Sequence, residues 1–195
     1  MSRQDTRQHL LETGVSYIIQ HGYHHSGLND ILGEAGVPKG SFYYYFHSKE
    51  DFGLQILAHF AEGTLAELRR FLADETLTPL DRLRRYFEAN AESLAGQGYR
   101  RGCLLGNLGQ EMSDLSEVMR VQVEISMTEW AALLGEGLAM AQAQGQIAPS
   151  LDPAELGSLC LDGWQGALLR MKVTHDGRPL RAFIHAFFDL LLRPE

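Results

Sequence analysis

The sequence predicts an all-α protein of about nine helices: an N-terminal three-helix helix-turn-helix module followed by a larger helical domain. Three observations predict it. Apolar residues recur at i, i+3 and i+4 through the chain of 195 residues, the period of a helix with one buried face. No competing stretch alternates apolar and polar residues as a half-buried strand does. Helix stops (Gly22, Gly36, Gly96, Gly98) and helix starts (Pro38, Ser48, Thr78-Pro79) separate the periodic stretches.

Helix 1 is expected from about residue 3 to 21, with Leu10, Leu11, Val15, Ile18 and Ile19 as its apolar stripe and Gly22 as its stop. Helix 2 begins at Ser26 or Gly27; Leu28, Ile31 and Leu32 form its inner face, and Asp30 sits near the positive end of its dipole. Gly36 suits the left-handed backbone that ends many helices. Pro38, whose missing N–H costs little in a first turn, pre-sets helix 3 over residues 39–46. There Phe42 and Phe46, at i and i+4, face a small core, leaving Gly40, Ser41, Tyr43 and Tyr44 on or near the outer face. Two short helices joined by a brief Gly-containing turn are the arrangement that enters a DNA major groove.

Ser48 caps helix 4, about 23 residues long, whose stripe runs through Phe52, Ile56, Leu57, Phe60, Leu65, Leu68 and Leu72. Thr78-Pro79 opens helix 5, which ends at Gly96 and Gly98. A short Gly-interrupted segment covers 99–112, a helix runs from about 114 to 145, and Pro149 and Pro153 bracket a turn. The last two helices cover about 153–172 and 179–192. The expected domains are 1–48, the helix-turn-helix module for DNA binding, and 49–195, the larger helical part.

The net charge of −8 excludes a basic nonspecific clamp on nucleic acid. Residues 1–50 carry four Lys/Arg against five acids and five of the eight histidines, so most of the negative charge lies in the second part. Two of the three lysines, Lys39 and Lys49, fall in or beside the helix-turn-helix. Lys49 lies at a helix start, where backbone N–H groups also meet phosphates. The polar N-terminus and the lack of a long apolar run argue against a signal peptide or membrane span. Two cysteines make no disulfide framework and fit a reduced cytoplasm.

The segment AGVPKGSFYYYFHSKEDF, residues 35–52, resembles the signature of the TetR-type transcriptional repressors, roughly AGVxxGxxYxHFxxKExL. One departure is Tyr45, where many relatives have His; phosphate contacts and specificity are what it puts in question. The resemblance implies a homodimer on a pseudo-palindromic double-stranded DNA operator. Lys39, Tyr43, Tyr44 and Lys49 would hold phosphates, and Gly40 and Ser41 would allow close approach to the groove. The dimer helices would present Leu156, Leu159, Gly163 and Ala167 on one, and Phe183, Ala186, Phe187, Leu190 and Leu191 on the other. By pattern alone these residues are equally an intramolecular core.

Outside that module Cys103 is the most suggestive residue. It follows Arg100-Arg101-Gly102 and opens a short helix, two features that favour thiolate. Lys172 lies near the end of an apolar helix containing Trp164 and Leu168. RRGCLLGNLGQEM together with WQGALLRMK resembles the branch of TetR-type repressors that respond to acrylate, reactive electrophiles or oxidants. The resemblance places Cys103 and Lys172 in the sensing pocket; modification of the thiol, or capture of a small carboxylate beside the lysine, would weaken DNA binding. Asn107, Trp130 and Trp164 are further candidates for that pocket.

Plainer readings stand beside these. Cys160 is a small core residue, Trp130 and Trp164 can be packing, and Lys172 can reach solvent from a helix end. Asn107, Gln110 and Glu111 can cap local helices, and Arg69-Arg70 and Arg82-Arg84-Arg85 form solvated faces. A reversibly bound, non-reactive effector would leave Cys103 a bystander. A cysteine-dependent detoxifying enzyme lacks an evident base near Cys103, His175 being a lone candidate in a loop. Adjacent His24 and His25 complete no metal-ligand set, and no cofactor or catalytic residue is expected. Repression and activation are not separated by these residues.

Overall fold

The computed structural model describes residues 3–192, and among these every regular element is helical. The order is α1 (Arg3–His21), α2 (Leu28–Ala35), α3 (Lys39–Phe42), α4 (Lys49–Leu72), α5 (Pro79–Gly96), α6 (Leu104–Met112), α7 (Glu117–Ala143), α8 (Pro153–Thr174) and α9 (Arg178–His185), closed by a π-helical segment, Ala186–Leu191. Two compact units divide the chain. One holds the residues through Glu62 together with Cys103–Ser126; the other holds Gly63–Gly102 and the residues from Met127 onward. No described helix is long and apolar enough to cross a membrane.

In the first unit the stripe of α1 is buried at Leu10, Leu11, Ile18 and Ile19, with Ile31 and Leu32 of α2 and Phe52, Ile56 and Leu57 of α4. Gly14 makes the close approach of α1 to α4 possible. A Cβ there would stand 3.0 Å from the Phe52 ring and 3.1 Å from Ile56 Cγ1. Ser48 accepts from the Asp51 N–H at 3.0 Å and so caps α4 as expected.

Helix 3 is shorter than its pattern suggests. The α-helix stops at Phe42, and Tyr43–Tyr45 continue as turns bonded Tyr44 N–H to Ser41 O and Tyr45 N–H to Phe42 O. These i→i+3 bonds are the tighter winding common at helix ends. Gly40 and Ser41 give the segment little intrinsic helix propensity. Its geometry is set by Phe42 and Phe46, packed 5.2 Å apart and each against Phe52 at 5.3 and 4.5 Å.

In the second unit a ring cluster forms the core. Phe87 of α5 meets Trp164 of α8 at 5.0 Å and Phe183 of α9 at 5.6 Å, and Phe183 stacks on Phe187. Thr78 caps α5 and Asp152 caps α8, each ahead of a proline. The last helix is not one α-helix: from Ala186 it widens to π geometry, closed by Leu192 N–H on Phe187 O. An i→i+5 turn brings successive side chains closer around the axis, which suits two adjacent buried rings, Phe187 and Phe188.

Three side-chain placements correct the sequence reading. Arg82 is buried, not on a solvated face; it donates to Leu77 O and Leu72 O, both at 2.9 Å. Arg84 pairs with Asp189. Of the residues expected on a dimer face, Leu156, Ala167 and Phe187 lie in the intrachain core. Leu159, Leu190 and Leu191 are exposed, joined by exposed Leu169 and Val173.

Candidate nucleic-acid interface and sensor elements

Gly36 adopts the left-handed conformation, φ 64°, and its N–H bonds back to Gly33 O, closing α2. Pro38 follows in extended geometry and turns the chain into α3. Phe42, fully buried, and Phe46 anchor this segment from below. Their burial forces the neighbours outward: Tyr43 is 57% exposed and Tyr44 80%. Lys39 and Gly40 are also exposed, Ser41 is half-buried, and a Cβ on Gly40 would meet nothing within 4 Å. Lys39, Gly40, Tyr43 and Tyr44 thus share one solvent-facing surface beside a left-handed turn. It offers a cation, two phenols and unhindered backbone.

Lys49 sits differently. Its ammonium donates to Tyr23 O at 2.9 Å and lies 4.5 Å from the Tyr23 ring centre. Burial pushes its pKa below the ordinary lysine value, against the opposing charge of Glu111. An ammonium has three donors, and this bond engages one of them. Tyr23 in turn donates its hydroxyl to Lys49 O at 3.2 Å, and its phenol is pushed up to about 12, by burial first and then by Glu50 and Glu111.

Glu111, a candidate cap for a local helix, caps at long range instead, accepting from the Tyr23 and His24 N–H groups at 2.8 and 2.6 Å. The joint between α1 and α2 is therefore fastened by α6. Asn107 of the same helix faces the same joint, its amide donating to Ile19 O at 3.4 Å.

Cys103 occupies the N-cap position of α6 and is only 7% exposed. Cys160 is 1% exposed, and burial holds its thiol well above the ordinary range, as a core residue requires. Cys103 and Asn107 belong to the first compact unit; Trp130, Trp164 and Lys172 belong to the second. Trp164 is packing, held in the ring cluster. Trp130 is also buried, yet its indole N–H has no hydrogen-bond acceptor. Lys172 is half-buried near the end of α8. No group of three or more His, Cys, Asp or Glu side chains able to hold a metal occurs among the described residues.

Comparison with known proteins agrees with this architecture. Residues 10–56 match the family of bacterial regulatory proteins of the tetR type, and residues 79–187 match the tetracyclin repressor-like C-terminal domain. The chain is 38% identical to the HTH-type transcriptional repressor DhaR of Mycobacterium sp. (strain GP1), over 98% of this chain and 95% of that protein. It is 37% identical to the transcriptional regulator AcuR of Cereibacter sphaeroides, over 92% and 82%. The crystal structure of a regulatory protein TetR from Rhodobacter sphaeroides superposes with a TM-score of 0.89 at 37% identity, covering 93% of this chain and 96% of that one. The reduced form of Escherichia coli NemR superposes with a TM-score of 0.84 at 32% identity, covering 93% and 95%. Two family matches across most of the chain, with the exposed Lys39–Tyr44 surface on the expected turn, make this chain a member of the TetR family of transcriptional repressors.

Proposed function

We propose that the protein represses transcription as a homodimer bound to a pseudo-palindromic operator. A small molecule, or modification of Cys103, releases it. Residues 1–48 form the DNA-binding module and 49–195 the sensing and dimerising part. Lys39, Tyr43, Tyr44 and Lys49 hold phosphates, while Gly40 and Ser41 admit the backbone to the groove edges. The observation that carries this is the forced exposure of Tyr43 and Tyr44 above buried Phe42. Exposed Leu159, Leu169 and Val173 on α8, with Leu190 and Leu191, supply an apolar face for a second copy.

Two sensing elements are proposed. One is Cys103, whose helix α6 also carries Glu111, so a change at the thiol acts on the helix that fastens the α1–α2 joint. The related NemR of Escherichia coli has been crystallised in a reduced form, which supports a redox-responsive group in this chain. The other is reversible ligand capture by the second unit, with Trp130, Trp164 and Lys172 as candidates. Burial of Cys103 favours this reading, because an occluded thiol reacts slowly. Either event shifts the population toward a conformer that no longer fits the operator.

A gel shift on the DNA upstream of the protein's own gene tests the proposal, using wild type and Cys103→Ser, each with and without acrylate and a stronger thiol electrophile. If only the wild type lets go, the thiol is the switch. If both release with acrylate, capture is reversible. Failure to bind the DNA without additives contradicts the assignment of that operator.

A further inference from the structure

A groove of about 690 Å³ runs between α7 and α8 in the second unit. Its shape follows from glycine and alanine. A Cβ on Gly157 would run into Ala131 O and stand 2.7 Å from Gly135 N, and one on Gly135 would stand 3.0 Å from Pro153 O. The two backbones therefore touch with no side chain between them. Their contacts descend α8 as they ascend α7, so the helices are antiparallel. That order sets Asp162 level with Met127, and Asp152 level with Glu136. Beside the contact the floor is made of methyl groups, Ala131, Ala132 and Ala139 from α7 and Ala154 from α8, too short to fill the space above them.

The groove carries charge of one sign. Asp162 lies at one end with Met127 and Leu161, and Glu136 and Asp152 lie at the other beside Pro153; no Lys, Arg or His lines it. Asp152 gives one oxygen to the Ala154 N–H at 2.8 Å. Glu136 and Asp162 are exposed and join no ion pair among the described residues. At helical rise, Asp152 and Asp162 stand about 15 Å apart along the axis. Ser158, midway, turns its hydroxyl to its own helix, donating to Ala154 O at 3.2 Å. Two acidic ends thus flank an apolar floor, in a space large enough for an organic guest.

We propose that this groove binds an elongated dication, an unbranched apolar chain lying on the alanine floor with an ammonium head at each acidic end. Charge complementarity selects the heads, and the separation of the carboxylates selects the length of the chain. Each head, at an exposed carboxylate, contributes modestly; the chain contributes by leaving water. An ammonium within the chain would be held over methyl groups with no acceptor, which disfavours a polyamine of similar length. The site is separate from both proposed sensing elements, since none of Cys103, Trp130, Trp164 and Lys172 lines it.

The test reads the Met127 methyl group by NMR in the full chain labelled with 13C-methyl methionine. Met127→Leu assigns the peak, since the chain has six methionines. The probe is decamethonium, two trimethylammonium heads on a ten-carbon chain. Its four-carbon analogue and spermine are the comparisons. The expected result is a saturable shift of the Met127 peak with decamethonium and about tenfold weaker binding of the four-carbon analogue, which reaches one end only and covers less of the floor. Asp162→Asn raises the half-saturating concentration of decamethonium about two- to fivefold, the range for one exposed ion pair. Ala132→Leu, at an exposed helical position, fills the floor and removes the shift while the protein melts close to the wild-type temperature. A Met127 peak unmoved by decamethonium overturns the proposal. So does half-saturation indifferent to chain length and to Asp162→Asn, and so does spermine binding as tightly as decamethonium.

Discussion

Glu111 and Tyr23, 88 residues apart, are joined by a carboxylate oxygen 2.8 Å from a backbone N–H, and the second oxygen of the same group takes the His24 N–H at 2.6 Å. This fastens the exit of α1 to α6, whose N-cap is Cys103. Glu111→Ala is expected to cost about 1–3 kcal/mol by loss of two charge-assisted bonds, and Glu111→Gln to recover part of it. Urea unfolding measures the cost. If Glu111→Ala unfolds at the wild-type midpoint, the clasp has no structural weight.

Tyr43→Ala should weaken operator binding without unfolding the protein, since that ring is 57% exposed. Phe42→Ala, one residue earlier and fully buried, should cost about 3–5 kcal/mol of stability. Thermal melts and DNA titrations on the two variants separate the roles. Unchanged affinity in Tyr43→Ala removes that phenol from the contact surface.

Tyr23 adds a pH dependence at the alkaline end. Its phenol is raised from 10.0 to about 12 in the folded protein. The folded state therefore holds a proton that the unfolded state has already released between those values. Stability from this group is complete below pH 10.0 and is lost as pH rises through about 12. Tyr23→Phe should flatten that part of the stability curve measured by urea unfolding; an identical slope in the variant contradicts the assignment.

The two thiols should separate by reactivity. Cys160, 1% exposed with its thiol held in the neutral form, should resist iodoacetamide until the protein unfolds. Native labelling should then reach at most one thiol per chain, at Cys103. Peptide mapping decides; label on Cys160 in folded protein would contradict its place in the core.

Local signals were legible in the sequence and distant ones were not. The starts of α4 and α5 were readable because Ser48 and Thr78 cap through neighbours three residues away, and that of α8 because Pro153 opens it; the Asp152 cap was not singled out. The outward face of Tyr43 and Tyr44 followed from the i, i+4 spacing of Phe42 and Phe46. The shortening of α3 did not, because it depends on Phe52. Arg82 looked like part of a basic surface run, yet its acceptors are carbonyls at the end of α4 and in the following loop, which no periodicity reports. Trp130 and Trp164 were indistinguishable as letters; packing satisfies one ring in a cluster and leaves the other with an orphan N–H.

The most direct test of the operator-binding account is fluorescence anisotropy of labelled upstream DNA, titrated with wild type and Lys39→Ala at several salt concentrations. Lys39 is exposed on the proposed contact face. Loss of one phosphate contact predicts weaker binding across sequences and a slope of log affinity against log salt reduced by about one. Equal affinity and an equal slope in the two proteins would contradict the assignment of this surface to DNA.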